Sequence, residues 1–210
     1  MSEKRAMVVV PGARGGPGTP GLYYAGKAAE NLGAEVREVT WREAPPMDRF
    51  EDTALVVDWV RGQVEPVVEE ARGASVVLTG KSLATVGAGL AADRGLPAIW
   101  LTPLLHDAFV VSEIRRSRAP KLLIGGTADF AWNGEVAREL SEHVCEIPGM
   151  DHGLFVEKAP LAASAEALGT VATAMERFLE DVAWVLAVVL LEGRVDREGR
   201  GDHEGQERVL

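Results

Sequence analysis

Apolar residues along this chain fall into two alternating rhythms. One is a short solid run closed by glycine or proline. Ala6–Val10 ends at Pro11-Gly12, and Ser75–Leu78, Pro97–Thr102 and Lys121–Gly126 have the same character. Solid runs of this length predict strands buried on both faces, as in a parallel sheet. "AEVREVTW", Ala34–Trp41, alternates apolar and polar residues and predicts a strand nearer an edge. "HVCEIPG", 143–149, predicts the last strand. The other rhythm is helical. Leu22–Leu32 has helical spacing and stops at Gly33. Val56–Ala71 predicts a helix in which Pro66 is a point for a kink or a split. Helices are also predicted over Leu83–Asp93 and Gly134–Glu142. A long helix is predicted over Ala165–Leu191, with Leu168, Val171, Ala172, Met175, Phe178, Leu179, Val182 and Leu186 on one face.

Strand and helix alternate throughout, which predicts an α/β fold: a mostly parallel sheet with helices on both faces. No internal repeat or linker divides it, so residues 1–191 are expected to be one domain. From Glu192 the chain is charged, glycine-rich and poor in apolar residues, and 192–210 is expected to be a disordered tail. The apolar run before it, Val182–Leu191, is too short for a bilayer, which needs about 20 residues. That run is expected to pack on the body or on another subunit, in a homodimer formed through the C-terminal helix.

Composition narrows the function. The 210 residues carry a net charge of −10, which argues against a nucleic-acid partner. Cys145 is the only cysteine, so no internal disulfide or cysteine metal cluster can form. The four histidines, His106, His143, His152 and His203, lack metal-ligand spacing, and neither a metal nor any other cofactor is expected. The apolar stretch near the N-terminus is too short for a signal-peptide core, so a cytoplasmic protein without membrane contact is expected.

"VVLTGKSLAT", Val76–Thr85, admits two chemistries. Gly80-Lys81-Ser82 matches the end of a phosphate-binding loop, but that loop needs a glycine where this chain has Ser75. The residues between are β-branched and apolar, unlike the flexible backbone that wraps phosphate. The alternative is a strand that turns sharply into a helix with Ser82 at the apex. Such a turn crowds the backbone, so small residues are wanted two before and two after the serine. Gly80 and Ala84 stand there, where the usual second residue is glycine. A serine capping a helix would also fit the motif alone.

A serine hydroxyl needs a base, and the base an orienting carboxylate, in chain order Ser, Asp, His on this kind of sheet. Asp129, just after the strand "KLLIGG", and His152, just after "HVCEIPG", match both order and place. His106 beside Asp107 is the competing pair, in the segment after the fourth strand. The oxyanion hole needs two backbone N–H donors. Leu83 is expected to supply one. The other is expected from the glycine-rich loop after the first strand, with Ala13 and Arg14 as its donors. Pro17 and Pro20 interrupt that loop, which argues against a dinucleotide fingerprint.

On these residues the chain resembles the small, cap-poor α/β-hydrolases with a "GKSLGT"-type elbow. The matching stretches are "VVVPG", "LYYAGKAAENLGAEVREVTW", "GKSLAT", "LPAIWLTPLL", "LLIGGTADFAW" and "PGMDHGLF". The resemblance implies Ser82 as nucleophile, Asp129 as acid and His152 as base. It also implies a sheet in the order 2-1-3-4-5-6 without two initial antiparallel strands. Only Pro103–Ala119 is available as a lid. Tyr23, Tyr24, Leu105, His106, Phe109 and Trp132 are candidates for lining the substrate site, with ordinary core packing the competing reading. Arg115, Arg116 and Arg118 form a basic cluster that suits an anionic carrier or a solvated helix face. Two functions are expected on this frame. One is a serine hydrolase that acts on a small-molecule ester, thioester or lactone. The other is a hydrolase-fold protein without net hydrolysis, either a binding protein or a catalyst of cyclisation or rearrangement in biosynthesis.

Overall fold

The computed structural model describes residues 4–49 and 51–185. The strands are β1 (Arg5–Val10), β2 (Glu35–Glu38), β3 (Ser75–Lys81), β4 (Ala98–Leu101), β5 (Lys121–Gly126) and β6 (His143–Ile147). They form one sheet in the order β2-β1-β3-β4-β5-β6, and every neighbouring pair is parallel. The helices between and after them are α1 (Pro20–Asn31), α2 (Thr53–Glu70), α3 (Ala88–Arg94), α4 (Ala108–Arg116), α5 (Gly134–Leu140) and α6 (Leu161–Phe178).

The solid apolar runs are explained by two cores, one on each face. Along β1, Ala6, Val8 and Val10 enter one core while Met7 and Val9 enter the other. On the Met7 side α1 contributes Leu22, Ala25 and Ala29, and α6 contributes Val171, Met175 and Phe178. On the Val8 side α2 supplies Val56, Val60, Val64 and Val68, with Leu90, Ile114 and Leu140 from α3, α4 and α5. After β2 the chain returns across β1 to build β3 and then continues away, so the order reverses between β1 and β3. The loops leaving the carboxyl ends of these two strands diverge there and open a crevice.

Several expected boundaries shift for local reasons. Pro66 does not split α2. Valines before and after it share one buried face, and each contributes about 1.5–3 kcal/mol. Together they outweigh the ~3 kcal/mol disruption of an interior proline. The second strand is shorter than 34–41, because Trp41 leaves the sheet to pack on Trp59 at 4.8 Å between ring centroids. The helix expected from Leu83 begins as a 3₁₀ segment, Ser82–Gly87, before α3. The Thr85 hydroxyl there donates to the Ser82 carbonyl (2.6 Å) and accepts from the Leu104 N–H (3.3 Å). The long C-terminal helix passes at Leu179 into a π turn, Leu179–Ala183. The rest of its expected length, Leu186–Leu191, lies outside the described residues, as do the 192–210 tail and most of the run assigned to a homodimer contact.

Candidate active site

Ser82 follows directly on β3 with φ of +52°, in the left-handed region. A non-glycine residue there costs roughly 1–2 kcal/mol. The neighbours show how tight the turn is. A Cβ at Gly80 would lie 2.8 Å from the Ala84 Cβ and 2.8 Å from the Trp100 ring. Residue 80 therefore has to be glycine, and because it is, residue 84 has room for a methyl group. The turn sits in the crevice between β1 and β3. A Cβ at Gly12, just past β1, would be 3.5 Å from the Ser82 Cβ.

The loops after β5 and β6 bring two further groups to this serine. The Asp129 side chain is fully shielded from solvent. Its Oδ1 accepts from the Ala131 N–H (2.9 Å) and pairs with His152 Nδ1 (2.8 Å). His152 Nε2 lies 2.8 Å from Ser82 Oγ. A carboxylate can only accept, so Nδ1 carries the proton and Nε2 is left as acceptor for the serine hydroxyl. The two loops interlock: Met150 packs where a Cβ at Gly126 would be. Asp151 shapes the histidine loop, its Oδ1 accepting from the N–H groups of Gly153 (2.8 Å) and Phe155 (2.9 Å). This chain of groups can move a proton from the serine hydroxyl to the imidazole, with a buried carboxylate to stabilise the resulting cation.

Leu83 follows Ser82 at the start of a helical segment, where N–H groups lack intrahelical partners. Among the described residues, neither the Ala13 nor the Arg14 N–H donates to a backbone carbonyl. The Trp41 indole donates to the Gly12 carbonyl (2.9 Å). In a planar trans peptide that carbonyl and the Ala13 N–H point in opposite directions, so Trp41 turns the Ala13 N–H away from itself.

The remaining predicted residues separate into two groups. His106 and Phe130 are exposed, and the Phe130 ring lies 4.7 Å from the His152 ring and 6.0 Å from that of His106. Tyr23 and Tyr24 are exposed near the start of α1. Leu105 is buried in the core, and Phe109 packs against the same core. Trp132 closes over Gly125 and its indole donates to Glu146 Oε2 (2.7 Å). Asp107 is the N-cap of α4, accepting from the N–H groups of Phe109 (2.8 Å) and Val110 (3.2 Å). Arg115 pairs with Glu139, and Arg116 with Asp93 and Glu113, on the surface. No group of three His, Cys, Asp or Glu placed to hold a metal occurs among the described residues, and no described helix is long and apolar enough to cross a membrane.

Sequence reasoning missed Lys81. Its ammonium donates to the His152 backbone carbonyl (2.7 Å) and to Thr102 Oγ1 (3.0 Å). Burial pushes its pKa below the ordinary lysine range, and the carboxylates of Asp129 and Asp151 oppose that push. Its only signal in the sequence is a lysine beside the apex serine, in a Gly80-Lys81-Ser82 triplet that also matches the end of a phosphate-binding loop. Phe130 was missed too, as one aromatic in a loop.

No protein-family model matches the chain, and no curated protein matches it in sequence. Solved structures do match in shape. Est1E from Butyrivibrio proteoclasticus, solved with ferulic acid, superposes with a TM-score of 0.63 at 15% identity, over 86% of this chain and 90% of that one. Dienelactone hydrolase from Anabaena variabilis gives 0.56 at 19% identity, over 85% and 87%. An α/β serine hydrolase without lid from Xanthomonas campestris gives 0.51 at 18% identity, over 85% and 84%. At these identities the likeness speaks to architecture alone. With the six-stranded parallel sheet in the order 2-1-3-4-5-6 and a single helix between β4 and β5, the described chain has the α/β-hydrolase fold without a cap domain.

Proposed function

We propose that this protein is a serine hydrolase that cleaves a carboxylic ester, thioester or lactone of a small molecule through a covalent acyl-enzyme. The observation that carries this reading is the continuous hydrogen-bonded chain from Ser82 Oγ through both nitrogens of His152 to Asp129. Ser82 Oγ attacks the substrate carbonyl while its proton passes to His152 Nε2. The C–O or C–S bond then breaks, and His152 returns that proton to the departing alcohol, or to the thiol of a thioester. A water molecule, deprotonated by His152, attacks the acyl-serine. Its proton is returned to Ser82 as the acid leaves. Asp129 stays ionised and stabilises the imidazolium in both halves. The tetrahedral oxyanion takes hydrogen bonds from the Leu83 N–H and from the Ala13 or Arg14 N–H. The short connection between β4 and β5, with no cap domain, suits a small-molecule substrate, and no cofactor takes part in any step.

A fluorophosphonate probe tests the reading, because the adduct needs both an activated hydroxyl and oxyanion donors. The label is expected on the peptide containing Ser82 and is expected to vanish in Ser82→Ala. Failure of the folded protein to react with several probe chemistries would sink the proposal.

A further inference from the structure

We infer that Lys81 is a positioning residue, whose ammonium holds the His152 backbone at the elbow so that the imidazole meets Ser82. The kinetic part of this inference rests on the hydrolase reading; the spectroscopic part does not.

His152 stands on a loop between Gly149 and Gly153, and its side chain is partly open to solvent. Asp151 ties the following residues to one another, but those bonds lie within the loop and do not fix it to the sheet. The residues before His152 are tied to the loop after β5, the Gly149 N–H donating to Thr127 Oγ1 (2.8 Å) and the Ala128 N–H to the Met150 carbonyl (3.1 Å), and the Lys81 ammonium adds the tie from His152 itself to the elbow. It reaches from the last residue of β3 to the His152 carbonyl, 71 positions along the chain. Ser82 is the next residue after Lys81. The serine and the tether to its histidine therefore ride on one dipeptide, and a small shift of the elbow carries both.

The ammonium's second bond is to Thr102, just past β4. Thr102 is fully buried and has φ of +43°. One nitrogen thus ties together the carboxyl ends of β3, β4 and the loop after β6. The charged groups that act on it are the carboxylates of Asp129 and Asp151, and its contact with His152 is to the backbone carbonyl. Asp129 Oδ2 has no hydrogen-bond donor among the described residues, and the Asp129 carboxylate favours the charged form of Lys81. A side chain that only filled this space would do so without the cost of desolvating a cation. Both contacts use the charge, since charge-assisted hydrogen bonds are roughly twice as strong as neutral ones.

The test uses the full chain and compares Lys81→Met with wild type. In wild type a strongly downfield imidazole proton is expected in the ¹H NMR spectrum, reporting the His152–Asp129 bond. In Lys81→Met, with circular dichroism unchanged, that proton is expected to broaden away. The rate of fluorophosphonate labelling at Ser82 is expected to fall at least tenfold, and turnover of a short ester to fall with KM little changed. In Lys81→Ala, added propylammonium is expected to restore part of the labelling rate, which a loss of packing would not permit. If Lys81→Met fails to fold, Lys81→Gln takes its place, with the same two readouts. Retention of the downfield proton together with wild-type labelling would overturn the inference. If wild type shows the proton but reacts with no probe, the hydrolase reading fails while the NMR comparison still decides the tether.

Discussion

Two aspartates illustrate how context assigns work to one side chain. Asp129 and Asp107 each sit just after a strand or its loop, and each accepts two hydrogen bonds at one oxygen. Both of the Asp107 donors are helix N–H groups, so its contribution is an N-cap worth about 1 kcal/mol. One of the Asp129 donors is the imidazole that meets Ser82. Asp129→Asn is therefore expected to lower kcat by about 10⁴-fold, because the amide favours the wrong tautomer, with the melting temperature little changed. Asp107→Ala is expected to leave kcat within a few-fold while losing roughly 1 kcal/mol of stability. Paired p-nitrophenyl acetate assays and urea titrations decide this, and the reverse pattern would reassign the acid. Gly80 and Ala84 make the same point sterically. Symmetric in the motif, they are unequal in the fold, since the absent Cβ at 80 is what makes room for the methyl at 84.

At the level of elements, the connection between β4 and β5 governs access. It consists of a loop, the nine-residue α4 and a short return, and α4 presents Val110 and Ile114 to the core. Nothing in it folds over Ser82 as a domain would. The aromatic nearest His152 is Phe130, which is 75% exposed. An enclosed tunnel would gain about 0.8 kcal/mol for each added methylene, close to fourfold in kcat/KM. A site with no cap domain over it gathers little of this. A series of p-nitrophenyl esters is expected to peak at acetate to butyrate and to decline with longer chains, without activation at a lipid interface. A clear optimum at ten carbons or more would show that some other segment encloses the acyl chain.

At the scale of the whole molecule, burying the Lys81 cation makes stability depend on pH. Its folded pKa lies below the ordinary 10.5, so between those two values the unfolded chain binds more protons. Stability from this group therefore rises with pH across that window. Lys121, lowered by burial, acts in the same direction. Cys145, raised by burial above 9.0, acts oppositely: its contribution is present below 9.0 and is lost as pH climbs through the folded value. Lys81→Met removes only the first effect. The stability of this variant minus that of wild type is expected to shrink as pH rises toward 10.5, measured by urea unfolding at a series of pH values. Parallel curves would mean that Lys81 titrates in the fold as it does in the unfolded chain.

The linear sequence by itself determined the kind of the six strands and of most helices, and the order in which serine, aspartate and histidine follow strand ends. Periodicity records how many sides of a segment are buried, and the strands here are buried on both. Glycines and prolines mark where the chain must turn. Partner choice is a different kind of information. Lys81 meets Thr102 and His152, 21 and 71 residues away, only because parallel pairing brings the ends of β3, β4 and β6 to one rim of the sheet. Trp41 leaves its strand for Trp59 and the Gly12 carbonyl, and Trp132 turns to Glu146, for the same reason. Pro66 stays helical because a face of valines, visible only once docked, outweighs one broken turn. Local pattern decides what a segment can become; the tertiary structure alone decides which buried polar group finds which partner, because that choice depends on distances the chain acquires only after it folds.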